Sequence, residues 1–262
     1  YNINPENNLY GSLAIANREP NRNDFENGVS TPESLNNIEF GWRINKENIK
    51  VNTNIYYMDY TNQLVLTGAL DDVGQQIRAT SGSSYRFGLE IDADITLSDK
   101  FSIKPNAAFS TNKNRDFFIT RDGIEEPQAL GNTDLSFSPD VIIGNMFTYM
   151  PSENLQISFL SKYVGQQFMS NFSSAISDTD VLDSFFTSDL NIVYEIKTTK
   201  IFKSITFTAL VNNIFNEEFV NRGYYYTFDD DYSVTDQITT VDGAGFYPQA
   251  TRNFLVGVTL RF

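Results

Sequence analysis

The sequence predicts an all-β chain that contributes about ten strands to an antiparallel transmembrane β-barrel. Three observations support this fold class. Apolar and polar residues alternate in run after run, and the connections between the runs alternate between short and long. Aromatic residues also make up 14% of the 262 residues, although the mean hydropathy is only −0.32. A barrel that is apolar outside and polar inside has these properties. A soluble β-sandwich with a Phe-rich core is the alternative, but it has no reason to place every long loop at the same end.

The strands follow from the two-residue period of the β-pleat. In the clearest run, Phe87, Leu89 and Ile91 fall on one face, while Arg86 and Glu90 fall on the other. The predicted strands, in chain order, are 9–17, 37–44, 49–57, 86–97, 103–110, 141–150, 155–163, 189–196, 205–212 and 254–262. The first and the sixth alternate less cleanly, because Asn145 interrupts the apolar face of the sixth.

The connections predict which end of each strand faces outward. Short connections lie near 45–48, 98–100, 151–154 and 197–203, and long polar connections lie near 18–34, 60–84, 111–138, 165–184 and 216–247. Outer-membrane barrels have tight periplasmic turns and long extracellular loops. Because residues 5–8 resemble a further periplasmic turn, residues 1–4 are expected to end an earlier strand, and the large loops suit a barrel wider than ten strands.

Composition excludes several classes of protein. The chain has no cysteine and no histidine, so Ser-His-Asp and Cys-His catalysis and thiolate or imidazole metal ligation by these residues are excluded. The absence of histidine argues against an enzyme such as an omptin-like outer-membrane protease. A net charge of −14 disfavours nucleic-acid binding. Tyr1 begins the sequence without a methionine or signal peptide, so we expect a processed product or a fragment.

Three segments resemble the TonB-dependent outer-membrane receptor family. They are ANREPNRNDF at 16–25 with TPESLNNIEFGWR at 31–43, VNNIFNEEF at 211–219 with Gly223 and Tyr224, and PQATRNFLVGVTLRF at 248–262. The matching positions in the first segment are Arg18, Pro20, Pro32, Glu33, Glu39 and Gly41. The resemblance covers the C-terminal part of the family's barrel, so residues 1–262 are interpreted as that portion, without the plug and the earlier strands.

The resemblance implies a barrel of about 22 strands around a plug, in the outer membrane of a Gram-negative bacterium. It implies import of a scarce nutrient, most often an iron-siderophore-like chelate, with energy from the TonB complex acting through the plug. Expected partners are therefore TonB, outer-membrane lipid and lipopolysaccharide, the chelate and the remainder of the barrel, with no cofactor. A surface lipoprotein is a further candidate partner. The alternative function is a passive porin or adhesion barrel, which would have no plug.

The outer loops contain the candidate ligand-binding residues. Arg18, Arg22 and Arg222 are the cations that can meet an anionic chelate, although Arg18 also belongs to the family motif and can be structural. Tyr224, Tyr225 and Tyr226 can stack on a flat ligand. The aspartates at 229–231 offer oxygen ligands to calcium, but their spacing fits no EF-hand and an acidic run is usually only solvated.

Two further groups follow from strand parity. The residues expected in the lumen, as a salt-bridge network or as plug contacts, are Glu39, Arg43, Arg86, Glu90, Asp92, Asp94, Lys104, Lys162 and Arg261. The residues expected in the interfacial aromatic girdle are Trp42, Tyr57, Tyr149, Tyr163, Tyr194 and Phe262. By resemblance, the terminal Phe262 is also the signal that the barrel-assembly machinery reads.

Overall fold

A computed structural model describes residues 1–70, 73–80, 82–121, 124–197, 201–230 and 232–262. Eleven strands form one antiparallel sheet: β1 (Asn2–Asn4), β2 (Asn7–Arg18), β3 (Glu33–Asn45), β4 (Ile49–Thr61), β7 (Ser83–Ser98), β8 (Phe101–Arg115), β11 (Val141–Ser152), β12 (Leu155–Val164), β15 (Phe185–Lys197), β16 (Ser204–Asn212) and β19 (Asn253–Arg261). Each strand pairs with its neighbour in this order, so the sheet is an uninterrupted meander. All ten predicted strands are confirmed.

The short β1 shows that residues 2–4 pair as a strand; that they end a longer, earlier strand stays a prediction. It pairs with the start of β2, where Asn2 lies opposite Asn8. The side-chain oxygen of Asn4 accepts hydrogen bonds from the backbone N–H of Glu6 and the side-chain amide of Asn7, both at 2.9 Å. These bonds close the tight turn before β2 in the manner of an Asx-turn.

The register keeps the two faces of the sheet chemically separate. Tyr57 lies opposite Phe87, and Leu89 lies opposite Phe109, on the apolar face. On the polar face of the same strand, Asp92 lies opposite both Asn52 and Asn106. Many side chains of the apolar face are exposed, and Phe40 retains 65% of its accessible surface. An apolar sheet face open over most of its width requires an apolar environment.

The long connections contain more structure than their polar composition predicts. We define them as outer loops one to five: residues 19–32, 62–82, 116–140, 165–184 and 213–252. Loop one holds the helix α1 (Arg22–Glu26). The other loops hold two-stranded hairpins, β5 (Leu64–Leu70) with β6 (Gln76–Thr80), β9 (Phe117–Arg121) with β10 (Ile124–Gly131), β13 (Gln167–Phe168) with β14 (Val181–Leu182), and β17 (Val220–Asp230) with β18 (Thr239–Pro248).

A short 3-10 helix at Asp178–Asp180 completes the elements of the outer loops. Among the described residues, no helix is both long and apolar enough to cross a membrane.

The main cluster of buried hydrophobic residues lies in the outer loops. Its members come from loops two to five: Val65, Phe117, Leu135, Met169, Phe172, Leu182 and Tyr225. Phe172 is central, since its ring lies 6.1 Å from those of both Phe117 and Tyr225. Because each loop supplies only one to three of these side chains, no single loop shows the apolar period that predicts an element.

Tyrosine rings cover glycines on the polar face of the sheet. Tyr10 lies directly opposite Gly41, and a Cβ built on Gly41 would come within 1.9 Å of the Tyr10 ring. The Tyr10 hydroxyl donates to the side chain of Asn54 at 3.0 Å, and the guanidinium of Arg43 lies 4.5 Å from the ring centroid. Tyr56 covers Gly88 in the same way. A ring lying flat over a cross-strand glycine fixes the register of the pair.

Replacing Gly41 with Ala should destabilise the barrel, because the new methyl group displaces the Tyr10 ring from Arg43 and Asn54. We expect a loss of about 1–2 kcal/mol in the free energy of unfolding. The measurement is a double-mutant cycle with Tyr10→Ala, read by thermal unfolding of the intact protein in detergent. In the Tyr10→Ala background, the loss of unfolding free energy caused by Gly41→Ala should largely disappear. An equal cost in both backgrounds would show that the ring is not responsible.

Candidate functional site in the outer loops

Asn171 joins three of the outer loops into one unit. Its side chain is fully buried. The amide nitrogen donates to the Leu66 carbonyl of loop two at 3.0 Å, and the amide oxygen accepts from the backbone N–H of Ser136 in loop three, also at 3.0 Å. Asn114, at the end of β8, donates to the same oxygen at 3.4 Å. A buried amide with both ends bonded fixes the loops that it joins.

An ion pair connects loop one to loop two. Asp24 lies in α1 and completes a capping box with Asn21 at the helix N-terminus. Only 2% of the Asp24 residue is exposed, and both of its carboxylate oxygens accept from the guanidinium of Arg78 on β6, at 2.9 and 3.0 Å. Sequence reasoning missed this pair, although the spacing of Asn21 and Asp24 was a visible capping signal.

A cavity of about 530 Å³ lies among these loops. It is bounded by β5, β6, β9 and the β17–β18 hairpin, with Phe117 and Phe172 among the apolar lining residues. Thr67, Thr227 and Asp229 are among its polar residues, and Arg78, already paired with Asp24, also lines it. Cavities of this size and mixed lining hold small molecules.

The three consecutive tyrosines of β17 separate onto two faces of the hairpin. Tyr225 points into the loop core, is 2% exposed, and its hydroxyl has no hydrogen-bond partner among the described residues. Burial raises the pKa of the Tyr225 hydroxyl above its ordinary value, and the carboxylates of Asp242 and Asp180 raise it further. The phenol is therefore neutral throughout the physiological pH range.

The opposite face of this hairpin presents a set of tyrosine rings. Tyr224 and Tyr226 lie over Gly245 and Gly243 of β18, and their ring centroids are 6.4 Å apart. Tyr247 lies 6.1 Å from Tyr224 and opposite Arg222 in the register. We call Arg222, Tyr224, Tyr226 and Tyr247 the tyrosine face. Sequence reasoning included Arg222, Tyr224 and Tyr226 but missed Tyr247, which the pairing of β17 with β18 brings beside Tyr224.

The other candidate arginines have acidic neighbours. Arg18 lies 3.7 Å from Glu33 across the β2–β3 pair, and Arg22 lies 2.8 Å from Glu26 one helical turn along α1. The Arg22–Glu26 pair is exposed and of modest strength, whereas the Glu33 carboxylate beside Arg18 is largely buried and also accepts from the backbone N–H of Leu64. Arg222 is exposed, and the described residues provide no ion pair for it.

Negative charge is concentrated in the outer loops. They hold 21 of the 33 acidic residues but only 5 of the 19 basic residues. The strands and short turns, which contain the remainder, are close to neutral. The negative field of the chain therefore originates almost entirely at the end of the sheet that carries the loops.

The acidic run at 229–231 is only partly described, since Asp231 lies outside the described residues. The Asp230 carboxylate accepts from the backbone N–H groups of Ser233 and Tyr232, at 3.0 and 3.1 Å. Hydrogen bonds from Ser233, followed by that from Tyr232, hold the pKa of Asp230 below its ordinary value. No three acidic residues within the described ranges lie close enough to hold a metal ion.

Comparison with known proteins identifies the family. A family model described as "TonB dependent receptor-like, beta-barrel" matches residues 1–214. The chain belongs to the TonB-dependent receptor family. A search of curated protein sequences found no match.

Solved structures support the same fold. The siderophore receptor PiuA from Acinetobacter baumannii superposes with a TM-score of 0.71 at 14% identity, over 98% of this chain and 34% of that one. The ferric-catecholate import receptor Fiu from E. coli K12 superposes with a TM-score of 0.67 at 14% identity, over 100% of this chain and 34% of that one. The copper transporter OprC superposes with a TM-score of 0.69 at 17% identity, over 100% of this chain and 38% of that one. The chain thus spans little more than a third of the receptors that it resembles.

Family membership assigns the two faces of the sheet. TonB-dependent receptors lie in the outer membrane of Gram-negative bacteria, so the apolar face contacts lipid and the polar face lines the lumen. On the lipid face, the predicted girdle residues Trp42, Tyr57, Tyr163 and Tyr194 share one parity. Phe262 is exposed and its ring lies 5.0 Å from that of Phe202, beside the short turn between β15 and β16.

The lumenal side chains interact mainly through amides and hydroxyls. Arg86 donates to Asn112 and Ser138, Asp92 accepts from Asn52, and Glu39 accepts from Asn37. Asp94 and Lys104, at 2.9 Å, form the one ion pair between predicted lumen residues in the described part of the chain. The guanidinium of Arg43 lies over the Tyr10 ring. Three further predicted lumen residues lie on the same face and form no ion pair within the described residues: Glu90, Lys162 and Arg261. Contacts of these residues with a plug stay a prediction.

Tyr225→Phe should leave the protein as stable as before or stabilise it by up to about 2 kcal/mol, because it removes a buried hydroxyl that has no partner. Thermal unfolding of the intact receptor measures this effect, with Tyr226→Phe on the exposed side of the strand as the matched control. A clear loss of stability in Tyr225→Phe alone would show that the hydroxyl has a structural partner.

Proposed function

We propose that the chain is part of an outer-membrane receptor that imports a scarce nutrient, with an iron-siderophore-like chelate as the cargo and TonB as the source of energy. The observation that carries the proposal is the match of residues 1–214 to the TonB-dependent receptor barrel. The neighbours named for ferric-catecholate import and siderophore reception point to the same class of cargo. The remainder of the barrel and a plug belong to this proposal.

Within this function, the tyrosine face is the surface proposed to capture the chelate. The rings of Tyr224 and Tyr226 lie over glycines of β18, so their outer π-faces are available to a planar ligand. Arg222, exposed at one end of these rings, supplies a guanidinium that can bind an anionic group of the chelate. Arg18 and Arg22 are weaker candidates, because each already lies beside a carboxylate.

Tyr225 has a different role in this proposal. Its side chain supports the hairpin from the core side, and the cavity beneath the hairpin offers a second enclosed volume for the ligand. The binding role predicted for Tyr225 from the sequence stays a prediction, which the Tyr225→Phe variant also tests through ligand affinity.

Replacing Tyr224 and Tyr247 together with Ala should weaken chelate binding by about ten-fold, since each lost ring contact is worth about 0.5–1.5 kcal/mol. The measurement is the affinity of the full-length receptor for a panel of ferric citrate, a ferric tris-catecholate and a ferric trihydroxamate. Tyr232→Ala, which removes an exposed tyrosine beyond the end of β17, is the matched control. Equal affinity in the double variant and the control would remove the tyrosine face from the binding site.

The energy requirement separates active import from a passive porin or adhesion barrel. Cells expressing the full-length receptor should take up the bound radiolabelled ferric chelate, and collapsing the proton-motive force should abolish the uptake while leaving surface binding intact. Uptake that continues without the proton-motive force would favour a porin, and binding without uptake would favour an adhesion barrel.

Deleting Phe262 should reduce the amount of barrel inserted into the outer membrane far more than its melting temperature. The ring is exposed at the periplasmic rim, so its removal costs at most about 1–3 kcal/mol of burial. Outer-membrane yield and melting temperature of the full-length parent, with and without the residue, test this. A normal yield with a large drop in melting temperature would mean that the residue is structural and that the assembly-signal role is wrong.

A further inference from the structure

A second concave surface lies at the base of loop five, apart from the tyrosine face. It has a volume of about 540 Å³ and runs between residues 181–184 of loop four and residues 217–220 and 246–251 of loop five. We call it the basal groove. All of these residues lie at the outer ends of β15, β16 and β19, so the groove belongs to the extracellular side of the receptor.

Three carboxylates line the basal groove. They belong to Asp183, Glu217 and Glu218, and all three residues are exposed. The described lining contains no basic residue, and the described part of the chain gives none of the three an ion-pair partner. These charges are therefore available to a ligand, and the acidic outer loops around them add to the negative potential.

Aromatic and apolar side chains complete the lining. Phe219 stacks on Phe185, with ring centroids 4.4 Å apart and an interplanar angle of 25°. Phe246 also lines the groove and is 46% exposed. Pro248 and Val220, which lie opposite each other in the β17–β18 hairpin, are further apolar lining residues. The groove therefore combines negative charge with exposed aromatic surface.

The backbone beneath the carboxylates is fixed. Buried Asn213 accepts from the backbone N–H of Glu217 at 2.9 Å and donates to the Glu217 carbonyl at 2.8 Å. The backbone N–H of Gln249 donates to the carbonyl of Phe219 at 3.0 Å. The groove is thus held in shape by hydrogen bonds within loop five, which lowers the entropic cost of binding.

This combination selects the chemistry of the ligand. The carboxylates repel anions, and within the described residues no three acidic side chains lie close enough to share a metal ion. Carboxylates spread along an aromatic-lined groove suit an extended organic cation, whose ammonium groups pair with the carboxylates and contact ring faces. We propose that the basal groove binds an organic cation of the alkylammonium class, at a site separate from the capture of the chelate.

The test uses the intact full-length receptor in detergent and two probes of equal length, 1,5-diaminopentane and 1,5-pentanediol, followed by calorimetry. The diamine should bind and the diol should not, because only the diamine carries charge. Diamine affinity should also fall several-fold between about 0.05 and 0.3 M salt, as screening of exposed charges requires. Equal binding of the two probes, or no binding of the diamine, would overturn the proposal.

Paired triple variants locate the site. Asp183→Asn with Glu217→Gln and Glu218→Gln should reduce diamine affinity at least ten-fold. The control, Glu47→Gln with Asp99→Asn and Glu153→Gln, removes the same charge from exposed residues of the short turns at the opposite end. Phe246→Leu, which keeps apolar volume but removes the ring, should reduce affinity two- to five-fold. Equal losses in the two triple variants would show that the diamine responds to net charge alone and would overturn the proposal.

The experiments distinguish a failure of the basal-groove proposal from a failure of the proposed chelate uptake. Ferric chelate uptake is measured in cells, whereas the diamine is measured on purified receptor without iron. Uptake without diamine binding overturns only the basal groove. Diamine binding that the groove variants abolish, without any chelate uptake, overturns only the proposed cargo.

Discussion

The hydrogen-bonded ladder of the main sheet is the constraint on which the rest of the structure depends. A strand in lipid has no water to bond its backbone N–H and C=O groups, so each must pair with a neighbouring strand. The eight strands from β3 to β16 in the meander of the main sheet satisfy this requirement on both sides, whereas β2 and β19 lie at its two edges and β1 pairs only with the start of β2. Pairing fixes the register, and the register places every second side chain on one face. Charged Asp92 and apolar Ile91 can therefore be neighbours in sequence and belong to different environments.

A different interaction organises the outer loops. They lie outside the lipid and can bury apolar side chains against one another, as Phe117, Phe172 and Tyr225 do. Buried polar groups then join loop to loop, through Asn171 and through the pair of Asp24 and Arg78. The loops form a packed layer above the sheet, and cavities arise where the hairpins meet. Binding surfaces are consequently built from several loops at once, on a supporting sheet.

Charge follows the same division between sheet and loops. The strands carry both acidic and basic residues on the lumen face, where neighbouring amides such as Asn52 and Asn112 bind them. The loops carry most of the acidic residues with few basic ones, and Arg78 and Arg22 are already beside carboxylates. An anionic cargo would therefore meet a negative outer field with Arg222 as an exposed cation on the tyrosine face. The same negative field would attract the organic cation that is proposed to bind the basal groove.

The sequence by itself determined the sheet. The two-residue period located all ten full strands, and the alternation of short and long connections gave their direction, because both are local consequences of a strand in a bilayer. Motifs at 16–43 and 211–219 led to the correct family. Tertiary structure alone decided the outer loops, since Val65, Phe172 and Tyr225 are far apart in the chain and become a core only when the hairpins meet. The same contacts determined which candidates share a surface, placing Tyr224 beside Tyr247 and turning Tyr225 away. Such pairings depend on non-local packing, and neither composition nor spacing records which loops will touch.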